Sequence, residues 1–409
     1  MAATALDYGA TAIYAGQPRY SLRVRNNEFG RIEKLAAGVE LVHQRGGKFY
    51  VVSNIYPHNA KLKTYLADMA PVVALKPDAL IMADPGLMLM IRENWPEMPI
   101  HLSVQANTVN YAAVRFWRSI GITRVILSRE LSLDEIAEIR QECPDIELEV
   151  FVHGALCVAY SGRCLLSGYF NHRDPNQGSC TNSCRWNYDI KPAGENSTGD
   201  VYLLEEANRP GQLMPIEEDE HGTYILNSKD LRAIEYVERL VAIGIDSLKI
   251  EGRTKSAYYV ARTCQTYRRA IDDAVAGRPF DASLIGELEN LANRGYTPGF
   301  YERHPAGEYQ NYRSGTSQML VSQYVGDLVG YTDDGRAEID VKNHFSIGDR
   351  LELISPDGNT VHAVAGMWKV GADGTALETQ TAPGSGHRVL LQLPPDKAGA
   401  FLVRLSAAH

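Results

Sequence analysis

Residues 124–154 read RVILSRELSLDEIAEIRQECPDIELEVFVHG, and the order of patterns within them sets the fold class. A short β-branched run (RVILSRE, 124–130) comes first. It gives way to LSLDEIAEIRQEC, where Ser132 and Glu135 have the spacing of a capping box at a helix start. A second apolar run, LEVFVHG (148–154), follows. Strand, helix, strand in this order means two parallel strands joined by a crossover. The unit recurs on both sides, at AIYAG (12–16), KFYVVSN (48–54), ALIMAD (79–84), IHLSVQ (100–105) and SLKIEG (247–252), with helical patterns such as EKLAAGVELVHQRGG (33–47) between them. Strands buried on both faces read as continuous apolar runs, and these do.

Seven strands are one short of the common closed parallel barrel. The opening stretch ATALDYGATAIYAG (3–16) begins as the end of a helix, with no strand ahead of it. The expectation is therefore a TIM-like β/α barrel whose first strand is missing from this sequence, with an open doubly wound sheet as the alternative. Residues 186–222 are acidic and rich in Pro and Gly, as expected of a hairpin inserted over one face. Beyond Tyr309 the period becomes two. Runs at 322–332, 336–343, 349–356, 362–368 and 388–394, with Asp-Gly turns at 334–335 and 357–358, predict a small antiparallel β-barrel. The expected division is a barrel over 1–305, carrying a Cys-rich loop (154–185) and the insertion (186–222), then a linker (306–318) and a β-domain (319–409).

The composition, 44% hydrophobic and 22% charged, is that of a globular protein, and no segment approaches the apolar length that spans a bilayer. With no signal peptide in view, the expected location is cytoplasmic, without membrane contact. A net charge of −9 argues against non-specific coating of nucleic acid but leaves room for a local basic patch.

The polar residues that follow the strand runs are Gln17 and Arg19, Asn54, Asp84, Gln105 with Asn107, Arg129 with Glu130, His153, and Glu251 with Arg253. In a β/α barrel these strand ends form the active face. The plain alternative is that loops are polar.

Four of six cysteines, Cys157, Cys164, Cys180 and Cys184, lie within 28 residues, with six, fifteen and three residues between successive members. A reducing compartment disfavours disulfides, so the cluster points to metal or redox chemistry. Only Cys180 and Cys184 have zinc-knuckle spacing. An iron-sulfur cluster tolerates loops of any length, and Gly154, Gly162, Gly168 and Gly178 allow close backbone approach. Iron-sulfur, structural zinc and unligated thiols all remain open on chemistry alone. Cys143 and Cys264 read as small buried residues.

The stretch from Glu149 to Ser167, EVFVHGALCVAYSGRCLLS, resembles the signature of the collagenase-like peptidase family of unassigned mechanism, matching at Glu149, Phe151, Gly154, Cys157, Gly162, Cys164 and Ser167. The resemblance runs through YAGQPRYSLRVRNNEF, DPNQGSCTNSCRW, NSKDLRAIEYVERL and SLKIEGRTKS. It is nearest to family members that act in oxygen-independent tRNA hydroxylation. That resemblance implies a 4Fe-4S cluster on Cys157, Cys164, Cys180 and Cys184, prephenate as co-substrate, the tRNA anticodon loop as partner, and 5-hydroxyuridine at the wobble position as product. A ferredoxin-type protein is a candidate electron donor.

For such a reaction Arg19, Arg129 and Arg253 are candidates to pair with carboxylates, with Lys249 and Lys255 as point charges. Ordinary ion pairs are their alternative. His153 and Glu251 are candidates for proton transfer, although a satisfied histidine beside the loop explains His153 as well. The stretch RYSLRVRNNEFGR (19–31), with Arg23 and Arg25, interleaves basic and aromatic residues as a single-stranded RNA contact does, or is a solvated loop. The rival readings are a peptidase using His153 and Cys157, and a non-catalytic iron-sulfur scaffold. No G-x-S-x-G elbow or H-E-x-x-H helix supports the former.

Overall fold

The computed structural model describes residues 1–17, 19–22, 28–155, 230–252, 255–293, 295–302, 322–371, 374–395, 397 and 399–405, together with the backbone of the strands between 188 and 223. Strands β1 (Ala12–Gly16), β2 (Lys48–Ser53), β3 (Ala79–Met82), β4 (Ile100–Leu102), β5 (Arg124–Ile126) and β6 (Glu147–Ala155) pair in chain order, all parallel. Their central residues, among them Val51, Leu80, Leu102, Val125 and Leu148, are fully buried. Helices connect them, and three of the crossovers carry a side-chain cap at the helix start. Ser132 and Glu135 form the reciprocal capping box of helix Leu133–Glu142, while Asp84 caps Pro85–Asn94 by accepting from Leu87 N at 2.8 Å. Asp84, a strand-end candidate, is thus occupied at a helix start.

After β6 the chain makes an antiparallel three-stranded excursion, β7 (Tyr188–Asn196), β8 (Gly199–Glu206) and β9 (Leu213–Ile216), and a two-residue ladder of β10 (Glu218–Asp219) with β11 (Gly222–Thr223). It returns as β12 (Asp230–Arg232), antiparallel to the end of β6, a strand too short and polar to be read from sequence. Strand β13 (Ser247–Ile250) rejoins β6 in parallel, and β14 (Tyr296–Thr297) adds to β12. Among the described residues β1 pairs with β2 alone and β13 with β6 alone. These two strands end the parallel run, and Tyr14 Oη crosses between them to donate to the Ile250 carbonyl at 3.2 Å.

Residues 322–405 form an eight-stranded antiparallel sheet in the order Thr360–Ala363, Arg350–Ile354, Phe401–Leu405, Ser322–Tyr331, Ala337–Val341, Arg388–Leu391, Met367–Val370, Ala376–Glu378. The two Asp-Gly turns fall as expected, with Gly335 and Gly358 at positive φ. The run at 362–368 divides, its halves pairing with different strands, and Phe401–Leu405, unmarked in the sequence reading, lies inside the sheet.

This sheet docks on helix Ala257–Val275. Arg262, 4% exposed at its side chain, makes a two-pronged pair with Glu352 at 3.1 and 2.6 Å. Tyr258 stacks on Tyr324 with centroids 4.8 Å apart, and Tyr8 Oη donates to the Ile354 carbonyl at 2.9 Å. Ile354, Phe401 and Val403 belong to the same apolar core as the parallel sheet. No helix among the described residues is long and apolar enough to cross a membrane.

Candidate functional site

A cavity of about 530 Å³ lies between β1 and β13 and extends over the strand ends. Its apolar part is lined by residues such as Ala5, Val260 and Ile271, its polar part by Tyr14, Asn54, Arg129, Glu149, Lys249 and Glu251. Four strand-end candidates, Asn54, Gln105, Arg129 and Glu251, therefore meet in one space, together with Lys249.

Register explains the meeting. Phe151 of β6 lies opposite Lys249 of β13, and Glu149 opposite Ser247. Residues two apart on a strand share a face, so Glu149 and Phe151 both reach the cavity. The Phe151 ring carries two cations, Arg129 Cζ at 4.6 Å and Lys249 Nζ at 5.6 Å from its centroid. Arg129 also donates to the Ala155 carbonyl at 3.2 Å.

Beneath Phe151, Glu149 receives Lys249 Nζ on one oxygen at 2.7 Å and Arg124 Nη1 on the other at 3.1 Å. All three side chains are at least nine-tenths buried. Burial by itself would raise the Glu149 carboxyl, but the ammonium of Lys249 and then the guanidinium of Arg124 outweigh it and hold the group below its ordinary range. Arg124 has a second carboxylate, Glu147, at 2.8 Å. Lys249 Nζ also sits 3.9 Å above the Tyr14 ring, whose hydroxyl donates to Glu251 Oε2 at 3.0 Å. Glu149, Arg124, Tyr14 and Phe151 were not picked out as site residues by strand-end reasoning. The available signal was a charge inside an apolar run, at Glu149 in LEVFVHG and at Arg124 opening RVILSRE.

His153 does not face this cavity. The pairing of β6 with β13 shifts between Lys249 and Ile250, an irregularity of the kind that re-aims side chains. The imidazole instead stands among Tyr259, Tyr267 and Tyr296, with centroids 5.5–5.7 Å away, and is 1% exposed. Tyr267 Oη lies 3.4 Å from Nδ1, while Nε2 has no hydrogen-bond partner. Burial pushes the ring down to about 3 despite the nearby Asp230, so it is neutral at physiological pH. The next residue, Gly154, has φ +108°, and a Cβ there would stand 2.4 Å from the Glu251 carbonyl oxygen. That contact fixes how closely the end of β6 approaches Glu251.

Arg19 lies apart, at φ +75°, pairing on the surface with Asp68 at 2.7 Å. Lys255 pairs with Asp230 at 3.2 Å over the Tyr259 ring and does not line the cavity. Arg23, Arg25, Arg253 and all of Cys157, Cys164, Cys180 and Cys184 lie outside the described residues. Among the described residues no group of three or more His, Cys, Asp and Glu is arranged to hold a metal. The two described cysteines are lone buried thiols, and burial pushes Cys264 up to about 12. The remaining donors are four thiols that begin, in sequence, two residues past the end of β6, a donor set whose chemistry fits a thiolate-bound cluster.

The model for peptidase family U32 matches residues 1–311, and that for the peptidase family U32 C-terminal domain matches 321–404. A protein of Escherichia coli K12 named tRNA hydroxylation protein P is 57% identical over 96% of this chain and 91% of its own. Its namesake in Haemophilus influenzae is 56% identical over 96% and 90%. A Porphyromonas gingivalis protein named collagenase is 28% identical over 97% and 94%. Among solved structures, a U32 peptidase aligns over 36% of this chain and 63% of its own at 13% identity, with a TM-score of 0.32, too distant to argue from.

Proposed function

The chain belongs to peptidase family U32, and from that premise we propose that it is a tRNA-modifying enzyme that hydroxylates the wobble uridine to 5-hydroxyuridine, without dioxygen and with prephenate as co-substrate. The observation that carries this reading is the 57% identity, along nearly the whole chain, to a protein named for tRNA hydroxylation. In the same reading the parallel strands and their helices are a β/α barrel, and the enzyme works in the cytoplasm, where tRNA is. The division into a barrel over 1–305 and a β-domain over 319–409 goes with it.

The cavity supports the co-substrate assignment. Prephenate is a dicarboxylate, and Arg129 and Lys249 offer two cations on one aromatic ring. The guanidinium fork suits a carboxylate at two points, and the ammonium adds a point charge. Arg253 is assigned to the same task. Glu251, 9% exposed and hydrogen-bonded to Tyr14, is the group placed to take or return a proton at the cavity. His153, neutral and walled in by tyrosines, is assigned to packing at the end of β6 rather than to the reacting atoms.

Cys157, Cys164, Cys180 and Cys184 would hold the 4Fe-4S cluster, which supplies one-electron chemistry when bound, fed by a ferredoxin-type donor. The anticodon loop would bring an unstacked uridine to the strand ends, with Arg23 and Arg25 on its phosphates.

Mass spectrometry of tRNA from a deletion strain grown without oxygen tests the function. Wobble 5-hydroxyuridine should vanish and return with the wild-type gene, and unchanged tRNA removes the assignment. Protein purified anaerobically should be brown and carry about four irons and four sulfides; stoichiometric zinc without sulfide removes the cluster.

A further inference from the structure

Cys157, Cys164, Cys180 and Cys184 all belong to residues 156–229, the stretch that leaves the sheet at the end of β6 and comes back on β12. Its two ends lie side by side. Ala155 is directly opposite Asp230, Gly154 opposite Leu231 and His153 opposite Arg232, in an antiparallel ladder. Among the described strands in between, β7, β8 and β9 pair with one another and β10 pairs with β11, and none of them joins the main sheet. In strand pairing, then, the stretch hangs from one two-stranded neck.

Tyr267, from helix Ala257–Val275, is wedged into that neck. Its side chain is buried, and its one oxygen reaches both strands. It donates to the Val152 carbonyl of β6 at 2.7 Å and accepts from the N–H of Ala233, the residue after β12, at 3.1 Å. Ala233 N also donates to the same carbonyl at 2.9 Å, so the hydroxyl closes a triangle over that bond. Burial holds the phenol well above its ordinary value, and it stays a donor. With its single proton given to Val152, the 3.4 Å contact to His153 Nδ1 has the imidazole as donor, and the ring opposite Arg232 is held as well. A phenylalanine would fill the same space. What the hydroxyl adds is a tie between the outgoing strand and the returning one.

We propose that Tyr267 is a positioning residue for the cysteine-bearing segment, locking the neck from which the four thiols are offered to their cluster. The cluster rests on the reading above, whereas the lock rests on the contacts at the neck. Bringing four thiolates to one centre costs chain freedom, and freedom left in the neck adds to that cost. A neck already fixed lowers it, much as outer partners orient the ligands of a metal. A loosened neck should therefore release the cluster sooner.

Tyr301 supplies an internal comparison. It is buried too, and its hydroxyl donates to the Phe151 carbonyl, one residue back along β6, at 2.5 Å. That hydrogen bond reaches β6 and not β12.

The test sets Tyr267→Phe beside Tyr301→Phe in the full chain, each losing one hydroxyl. On cluster-loaded protein an iron chelator is added and the fading of the brown absorbance is followed. Tyr267→Phe should fade about fivefold faster than wild type, the size of one net hydrogen bond, and Tyr301→Phe at about the wild-type rate. On cluster-free protein, amide exchange read by peptide mass spectrometry should speed up by a similar factor over 150–155 and 230–236 in Tyr267→Phe alone, and stay unchanged over 48–53. Fading that is equally fast in both variants, or in neither, overturns the proposal, as does neck exchange that Tyr267→Phe leaves unaltered. In the wild-type chain 230–236 should exchange as slowly as 48–53, and fast exchange there overturns the lock even if neither variant folds. A wild-type chain that takes up no iron removes the cluster reading, with the lock itself still decided by exchange. A loaded chain that fades at one rate in wild type and both variants removes the positioning role and keeps the cluster.

Discussion

Replacing Glu149 with glutamine removes one negative charge and almost no volume from the buried group of Arg124, Glu149 and Lys249. The wild-type carboxylate accepts from Lys249 Nζ at 2.7 Å and from Arg124 Nη1 at 3.1 Å, in side chains no more than 8% exposed. Removing one member of such a pair costs about 3–5 kcal/mol, because the surviving charge stays buried and unmatched. Arg124 retains Glu147 at 2.8 Å, so the loss falls mainly on Lys249 and the lower figure applies. About 3 kcal/mol is roughly a hundredfold in the folding equilibrium. Urea denaturation followed by circular dichroism measures it. A double-mutant cycle then tests the cause: Glu149→Gln combined with Lys249→Met leaves no unmatched ammonium and should recover at least about 1.5 kcal/mol relative to additivity. A Glu149→Gln protein within about 0.5 kcal/mol of wild type, or a cycle with no coupling, refutes the account of the buried charges.

Two further outcomes follow from the end of β6. The imidazole of His153 titrates at about 3 in the folded chain against 6.5 in its absence, so the unfolded chain takes up a proton first as pH falls. Stability from this group is present above pH 6.5 and is lost on the way to pH 3, by up to about 5 kcal/mol. His153→Phe should therefore show a smaller drop in melting temperature between pH 7 and pH 4 than wild type does; equal drops refute the assignment. Gly154→Ala forces a side chain onto a φ of +108° and a Cβ to 2.4 Å from the Glu251 carbonyl oxygen, which should cost about 2 kcal/mol or more and displace Glu251. A variant with wild-type stability and wild-type tRNA hydroxylation in cells would show that this approach is unimportant.

The parallel strands were legible because residues buried on both faces must be apolar throughout, and AIYAG, ALIM and RVI fall where those runs were read. The helix at Leu133 was legible because its cap is local chemistry written in Ser132 and Glu135. The Asp-Gly turns were legible for the same reason. The partners of Glu149 were not, since they depend on which strands β6 joins and in what register: Lys249 comes from 100 residues further along and Arg124 from 25 residues before. The position of His153 was hidden by a shift in pairing that no spacing announces. Arg19 read as a strand-end cation because its sequence position is right, but a left-handed turn and Asp68 hold it on the surface. Phe401–Leu405 pairs with strands about 50 and 80 residues earlier, and its five residues carry no local sign of that.

Helix Ala257–Val275 begins six residues past Glu251 and further along presents Tyr258 and Arg262 to the antiparallel sheet. One beam thus carries both the wall of the cavity and the mount of the other unit. Two platforms bolted to a common rigid member keep a constant span, so a bulky guest that rests on both is measured as if against a ruler. Selectivity can then arise from the guest's length as well as from any contact at the reacting end.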